Sequence, residues 1–277
     1  MAEKIDSNVD EPAGGETGQG DDTKLREAAK RFGRIAVSGE AKSGAAESVI
    51  EDGAADHGDR HLERERQLDD RLQAAVARES AELHARAVDA EPTVTRDVGE
   101  AARSVGSKLD GLEHKLKTES SLQEKLTKFP LSRKQRNEPE KAIAGRGRSV
   151  NDALRYTVIS TEERYMTARA KLSDRLTAQG YTLARSSNSW VPPDGSVAEP
   201  YRGINETWRS PEDYTFEIQF HTSASYAMKD VNHKLYEEWR KPDTPLLRAQ
   251  EVAGIMSGRF DGVPVPPGAL AGRGSTP

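Results

Sequence analysis

The spacing of apolar positions changes twice along the chain. Residues 1–60 hold few large apolar side chains and no repeat among their Gly, Ala, Asp, Glu and Ser. Such a segment cannot bury enough surface to offset the entropy of ordering it, so the pattern predicts a disordered tail with one short helix over 23–35. In 61–90, Leu62, Leu68, Leu72, Val76 and Leu83 recur near helical spacing among Arg and Glu, without Gly or Pro. That predicts a charged amphipathic helix ending before Pro92, since a residue before proline is pushed out of the helical region. It reads as a solvated or coiled-coil arm, against the sharper alternative of a ligand site on its charged face.

A second helix is expected over 94–116 and a short one over 121–128, with Ser120 or Ser121 as its N-cap. Residues 129–148 read as a basic loop. From 154 onward, β-formers alternate with helical runs. Strands are expected over 154–159, 181–185, 201–208 and 214–221, the last two joined by a turn at 210–213. Helices are expected after Thr161 as far as Gly180, and over 223–239 and 245–260, with a Pro/Gly loop over 186–200. The fold class is therefore α+β: a mixed sheet of about four or five strands flanked by helices, preceded by the tail and the charged arm. The implied division is tail 1–60, arm 61–104, domain 105–262 and flexible tail 263–277.

Composition narrows the function classes. The chain has 277 residues, 34% hydrophobic and 31% charged, with a formal net charge of −5. This is not the balance of a general nucleic-acid binder, though a local basic patch is compatible with it. There are no cysteines, which excludes disulfides, zinc–thiolate sites and thiol nucleophiles. No apolar run has the length of a membrane span, and residues 1–20 are acidic without the apolar stretch of a signal peptide. The expectation is a cytoplasmic protein, or one delivered to a target-cell cytoplasm by a route without a signal peptide.

Three clusters could carry chemistry. Lys115 and Lys117 precede a helix that carries Ser121 and Lys125; cations converging with free helix N–H groups could grip a polyphosphate, or be an ordinary Lys-rich surface. Asp152 and Arg155 flank a strand entrance, where an Asp could hold Mg²⁺ and an Arg a phosphate, or the two could form an Asx-turn and a surface ion pair. On the strand 214–221, Glu217, Gln219 and His221 share one face and Phe216, Ile218 and Phe220 the other. That polar row is either a functional surface or a solvated sheet face.

Read in order, these clusters resemble the RelA/SpoT nucleotidyltransferases. Lys115, Lys117, Ser121, Leu122 and Lys125 match the spacing of that family's Arg-x-Lys-x-x-x-Ser-(Ile/Leu)-x-x-Lys. Asp152 and Arg155 resemble its Asp and Arg. The run from Pro200 through Tyr201, Arg202, Gly203, Ile204 and Asn205 resembles Gly-Tyr-Arg-Ser-(Leu/Ile)-His. Glu217 to Thr222 resembles Glu-(Val/Ile)-Gln-x-Arg-Thr, and His233 with Tyr236 a helical His-x-x-Tyr. The departures are Lys115 for Arg, Val150 where the family carries Asp, with Asp152 two residues later, Pro200 for Gly, Asn205 for His and His221 for Arg. The family's metal-dependent hydrolase half has no counterpart.

The resemblance implies transfer of pyrophosphate from ATP to the 3′-hydroxyl of a guanine or adenine nucleotide, or of tRNA, with Mg²⁺ as cofactor. It implies that Lys115, Lys117, Ser121 and Lys125 hold ATP phosphates, with Asp152, Arg155 and Glu217 as catalytic groups. Asp152 and Glu217 would be the metal ligands. Tyr201, Arg202, Asn205, Gln219, His221 and His233 would bind the acceptor, Tyr201 by stacking its ring on the base. Two other classes stay open: a degenerate nucleotide binder without turnover, and an effector whose helical arm docks a carrier or an antitoxin.

Overall fold

The computed structural model describes residues 54–191, 201–239, 241 and 243–271, with the side chains of 54–61 outside the description. The expectations for residues 1–53, including the helix over 23–35, lie outside the described residues.

One helix, α1 (Ala54–Ser104), stands where two were expected, and it starts before residue 61. Pro92 lies inside it. An interior proline removes a backbone hydrogen bond and costs about 3 kcal/mol. Burial explains why the helix continues. Val76, Leu83, Ala87, Val94, Val98 and Ala101 are all buried at helical spacing, so the apolar stripe stays in register across Pro92. These side chains belong to the main core, so the charged segment is not a solvated arm over that length. Arg71 reinforces the packing by donating through Nε and Nη2 to Glu140 at 2.9 and 2.8 Å.

The expected helix over 94–116 ends early because Gly106 and Gly111 take positive φ, 68° and 62°. Between them lies a short strand, β1 (Lys108–Asp110), followed by a 3₁₀ turn (Leu112–His114). Helix α2 (Glu119–Thr127) is capped by Thr118, whose Oγ1 accepts from the Ser121 N–H at 3.2 Å. The cap therefore falls earlier than Ser120 or Ser121. The expected basic loop contains α3 (Arg133–Arg136) and α4 (Pro139–Gly147). A capping box of Ser132 and Gln135 starts the first, and Pro139 in the first turn starts the second.

The remaining elements are β2 (Arg155–Ser160), α5 (Tyr165–Ala178), β3 (Thr182–Asn188), β4 (Ile204–Arg209), β5 (Thr215–Thr222), α6 (Ser223–Trp239) and α7 (Leu246–Phe260). Strand β3 runs past residue 185 into the expected loop, because it pairs antiparallel with β4 as far as Asn188 opposite Ile204. The tail after 263 is not loose over its described part. Val263 and Ala269 are buried, and Asn188 Nδ2 donates to the Ala269 carbonyl at 2.8 Å.

The fold is α+β, with a five-stranded mixed sheet in the order β1-β2-β5-β4-β3. Only β2 and β5 pair in parallel; the other neighbours are antiparallel. One sheet face carries Tyr156, Val158, Ile204, Trp208, Phe216, Ile218 and Phe220, all buried. Helices α1 and α5 close this side: Tyr156 reaches Thr95 of α1 at 2.7 Å, and Tyr165 of α5 donates to the Phe220 carbonyl at 2.9 Å. One carboxylate sits within the core. Glu206 is fully buried and accepts from Arg169 Nε at 2.7 Å and Trp208 Nε1 at 2.9 Å. A buried charge is tolerated when paired and hydrogen-bonded in this way.

Because α1 contributes to the core on both sides of Pro92, removing residues 1–92 is expected to unfold the domain at room temperature. Removing 1–60 is expected to leave the thermal midpoint nearly unchanged. A chain starting at residue 93 with the wild-type midpoint in a melting experiment would show that the stripe of α1 is dispensable.

Candidate functional site

The opposite face of the sheet is polar in register. Glu217 of β5 lies opposite Arg155 of β2 and Thr207 of β4; Gln219 lies opposite Thr157 and Asn205. Side chains of paired residues point the same way, so seven polar positions with His221 form one continuous surface.

At one end of this surface is a lysine–aspartate cluster. Residues 115–117 run beside 153–155: the Lys117 N–H donates to Ala153 at 2.9 Å and the Arg155 N–H to Lys115 at 2.8 Å. This pairing brings Lys117 Nζ to 3.4 Å from Asp152 Oδ2, while Lys125, from the last turn of α2, bonds Asp152 Oδ1. Burial pushes the Asp152 carboxyl upward, but Lys125, Lys117 and Arg155 together outweigh it and hold its pKa below the ordinary value. Burial lowers the Lys117 pKa, only partly opposed by Asp152. Val150, at the position where the resemblance called for an Asp, is buried among apolar side chains. The carboxylate at this end of the face is that of Asp152.

Two residues of this group stand apart. Lys115 pairs with Glu91 of α1 at 3.3 Å, and Glu91 also accepts from Thr95 at 2.6 Å. Ser121 is exposed in the first turn of α2, its Oγ 3.1 Å from Thr118 Oγ1.

The middle of the surface is a chain of hydrogen bonds. Lys229 Nζ of α6 donates to Gln219 Oε1 at 3.0 Å, and Gln219 Nε2 donates to Glu217 Oε1 at 2.6 Å. Burial and the negative charge of Asp152 raise the Glu217 pKa, with Arg155 opposing. A carboxyl pushed upward in this way is closer to accepting a proton near neutrality. Asn151 Nδ2 donates to Thr207 Oγ1 at 2.5 Å beside this chain.

The far end centres on Tyr201. Its hydroxyl donates to Asn205 Oδ1 at 2.7 Å and lies 2.9 Å from His221 Nε2, while His221 Nδ1 lies 3.0 Å from Ser225 Oγ. The Tyr201 and His221 rings meet edge-on, centroids 5.2 Å apart, and Tyr226 lies 5.8 Å beyond His221. Burial, helped by the charge of Lys229, drives the His221 pKa down to about 3, so the ring is neutral at physiological pH. Burial raises the Tyr201 pKa well above the ordinary value. Tyr201 folds back across Gly203, where a Cβ would stand 2.8 Å from the hydroxyl and 3.0 Å from the Phe220 carbonyl.

The structure thus brings Lys117, Lys125, Asp152, Arg155, Glu217, Gln219, Asn205, His221 and Tyr201 to one face. It does not bring the others with them. Arg202 turns over the Phe260 ring at 5.8 Å, and His233 is exposed on α6, one turn past Lys229. The Tyr201 hydroxyl bridges two side chains, Asn205 and His221. Sequence reasoning missed Lys229, Ser225 and Tyr226; the four-residue spacing from Ser225 to Lys229 places both on one helix face and was the available signal.

No group of three or more His, Asp or Glu able to hold a metal occurs among the described residues. Asp152 and Glu217 are the two carboxylates at this face that a hard cation could use, but both Asp152 oxygens are engaged by Lys117 and Lys125. Burial, and after it the charge of Asp152, raise the Glu217 pKa, and a cation bound there would offset both.

No known family model matches the chain, and no curated protein matches it. Solved structures similar to it include the following three. The type VI effector Tas1, crystallised with its immunity protein, is 17% identical with a TM-score of 0.39, covering 65% of this chain and 94% of that one. Small alarmone synthetase 1 from Bacillus subtilis, bound to its product pppGpp, is 15% identical with a TM-score of 0.32, covering 56% and 72%. Small alarmone synthetase 2 from Bacillus subtilis is 13% identical with a TM-score of 0.37, covering 70% and 96%. No described helix is long and apolar enough to cross a membrane.

Two outcomes are expected from this geometry. Tyr201→Phe leaves Asn205 and His221 each short of a buried partner and is expected to cost roughly 1–3 kcal/mol in a denaturant titration. An unchanged midpoint would show that water replaces the hydroxyl. The second concerns pH. Asp152 has a folded pKa below its unfolded one, so its stabilisation is present above the unfolded value and is lost as pH falls through the folded value. Lys125→Met removes the first of the cations that hold it down. It is expected to move that loss to higher pH in a midpoint-versus-pH series; superimposable profiles would remove Lys125 as the cause.

Proposed function

We propose that this chain transfers the β,γ-pyrophosphate of ATP to the 3′-hydroxyl of an acceptor nucleotide or of tRNA. The supporting observation is the polar sheet face itself: a carboxyl with a raised pKa, Glu217, between a lysine–aspartate cluster and an aromatic end. The ordered resemblance of its residues to RelA/SpoT synthetases points the same way.

The chemistry follows from those groups. Lys117 and Lys125 turn from Asp152 to the triphosphate, where two ammonium groups neutralise charge. Arg155, whose charge acts on both Asp152 and Glu217, takes phosphate oxygens in bidentate fashion. Glu217 accepts the proton of the attacking 3′-hydroxyl as its oxygen bonds to the β-phosphorus. The bond between the α,β-bridging oxygen and that phosphorus breaks, and AMP leaves. Asp152 and Glu217 would hold Mg²⁺, which supplies further charge neutralisation when bound. Tyr201 and Tyr226 offer aromatic surface to the acceptor base, at ~1–3 kcal/mol for a stacked ring.

A second reading, a nucleotide binder without turnover, is favoured by one feature. Both Asp152 oxygens are engaged by lysines, and Lys115 is held by Glu91 rather than facing the groove. Incubation with labelled ATP, Mg²⁺ and GDP, GTP, ADP, ATP or tRNA separates the two. A labelled acceptor supports transfer; nucleotide binding with no labelled acceptor in any lane supports the binder.

Glu217→Gln keeps the size of the side chain and its contact with Gln219 but removes the proton acceptor. It is expected to lower transfer by roughly 10²-fold or more with the midpoint unchanged. Activity within a fewfold of wild type would take Glu217 out of the mechanism.

A further inference from the structure

Helix α1 reaches the lysine end of the polar face through one carboxylate. Glu91 Oε1 lies 3.3 Å from Lys115 Nζ and also accepts from Thr95 Oγ1 at 2.6 Å. Thr95 Oγ1 lies in turn 2.7 Å from the Tyr156 hydroxyl. A threonine hydroxyl has one proton to give, and here it goes to Glu91, so Tyr156 donates to Thr95. Both donors of this relay point towards the carboxylate and favour its charged form. The Thr95 hydrogen bond, ahead of opposing burial and then of Lys115, lowers the Glu91 pKa. Tyr156 is a buried core residue of β2, so Glu91 is held in place from the core side whether or not Lys115 meets it.

Lys115 is the member of the pair that can leave. It closes the 3₁₀ turn with φ −64° and ψ −37°, a helical conformation that breaks strand alternation. Its ammonium therefore does not accompany that of Lys117 to Asp152 but turns to α1. The Glu91 and Lys115 side chains are only 22% and 25% exposed, so water screens the pair in part. A lysine carries one compact charge on a flexible stem, so it serves either Glu91 or a phosphate. Its departure would not strand Glu91, which keeps Thr95. A neutral acceptor could orient Lys115 and leave its charge available, whereas a carboxylate cancels that charge. We infer that Glu91 is a latch on the triphosphate end of the face: it holds Lys115 aside, and a polyphosphate must win the lysine from it to bind at full strength. The inference rests on the proposed reading of that end as a triphosphate site, and it gives α1 a hand in setting the affinity there.

The test measures binding without divalent cation or acceptor, so that neither transfer nor a metal bridge contributes. ATP, inorganic tripolyphosphate and adenosine are titrated calorimetrically into wild type, Glu91→Gln, Lys115→Met and the double variant. The buffer holds about 150 mM salt, where charges more than about 8 Å apart are largely screened. Glu91→Gln keeps an oxygen for Thr95 and removes only the charge. It is expected to bind ATP and tripolyphosphate about three- to tenfold more tightly than wild type. Adenosine affinity is expected to move less than about twofold, because no phosphate is present to take the lysine. In the Lys115→Met background the same change removes a charge without freeing an ammonium. Its gain there is expected to stay below about twofold. The thermal midpoint of Glu91→Gln is expected to match wild type. If that variant does not fold, Glu91→Asp, which draws the carboxylate back by one methylene, carries the test with an expected gain of at least about twofold.

Unchanged or weaker polyphosphate binding in a folded Glu91 variant overturns the inference, and weaker binding with a lower midpoint makes Glu91 a structural support for Lys115. An equal gain with and without Lys115 also overturns it, because the effect is then that of charge alone. So does the absence of polyphosphate binding from both wild type and Glu91→Gln. The two readings fail separately. Tighter polyphosphate binding in Glu91→Gln with no labelled acceptor in the transfer panel keeps the latch and sinks the transferase. A labelled acceptor with polyphosphate affinity unmoved by Glu91→Gln does the reverse.

Discussion

The parallel pairing of β2 with β5 is the constraint from which the rest of the molecule follows. Its register sets Arg155 opposite Glu217 and Val158 opposite Phe220. A slip of one residue would exchange the two faces. Phe216, Ile218 and Phe220 would then face the groove, and Glu217 and Gln219 would enter the apolar layer. The register is held from the core side, where Tyr156 and Tyr181 meet Phe216 edge-on at 6.1 and 5.8 Å. A parallel pair needs a long crossover, and here the chain between β2 and β5 supplies α5, β3 and β4. That excursion places β4 beside β5 and so adds Thr207 and Asn205 to the polar face.

On this frame the groove divides its charges by partner. Asp152 is shared by two lysines, Glu217 is bonded to a neutral amide, and His221 is kept neutral between Tyr201 and Ser225. Burial alone would push every acid upward. Local cations separate Asp152, held low, from Glu217, held high. Two carboxyls on one surface with pKa values driven apart by their surroundings can take different roles, one as a charge and the other as a proton acceptor.

The same groove is tied to the long helix. Lys115 is drawn to Glu91 of α1, and the Thr95–Tyr156 contact from the same helix region anchors β2. His84 of α1 lies 2.9 Å from the carbonyl of Lys117. The segment that carries the lysines is therefore positioned by α1 as much as by the sheet, which gives the charged helix a structural task at the site.

The sequence by itself determined the α+β class, the alternation of β5 and the identity of most of the groove. Period-two patterning reports directly which side chains share a face, because the geometry of a strand leaves no other option. Helix α6 was also fully legible, since Ser223–Trp239 has no internal breaker. Other features depended on partners distant in the chain. Pro92 reads locally as a stop, yet the stripe from Val76 to Ala101 packs on elements that a window around residue 92 does not contain. Strand β1 is three residues between two glycines, too short to show a period, and it exists because β2 offers it an edge. The surroundings of Lys115 and Arg202 were decided by Glu91 and Phe260, and those of Lys229 by Gln219 and Tyr226. A sequence lists charges along one dimension. Which charges find partners, and which are enclosed without one, is settled only when the chain has closed around them.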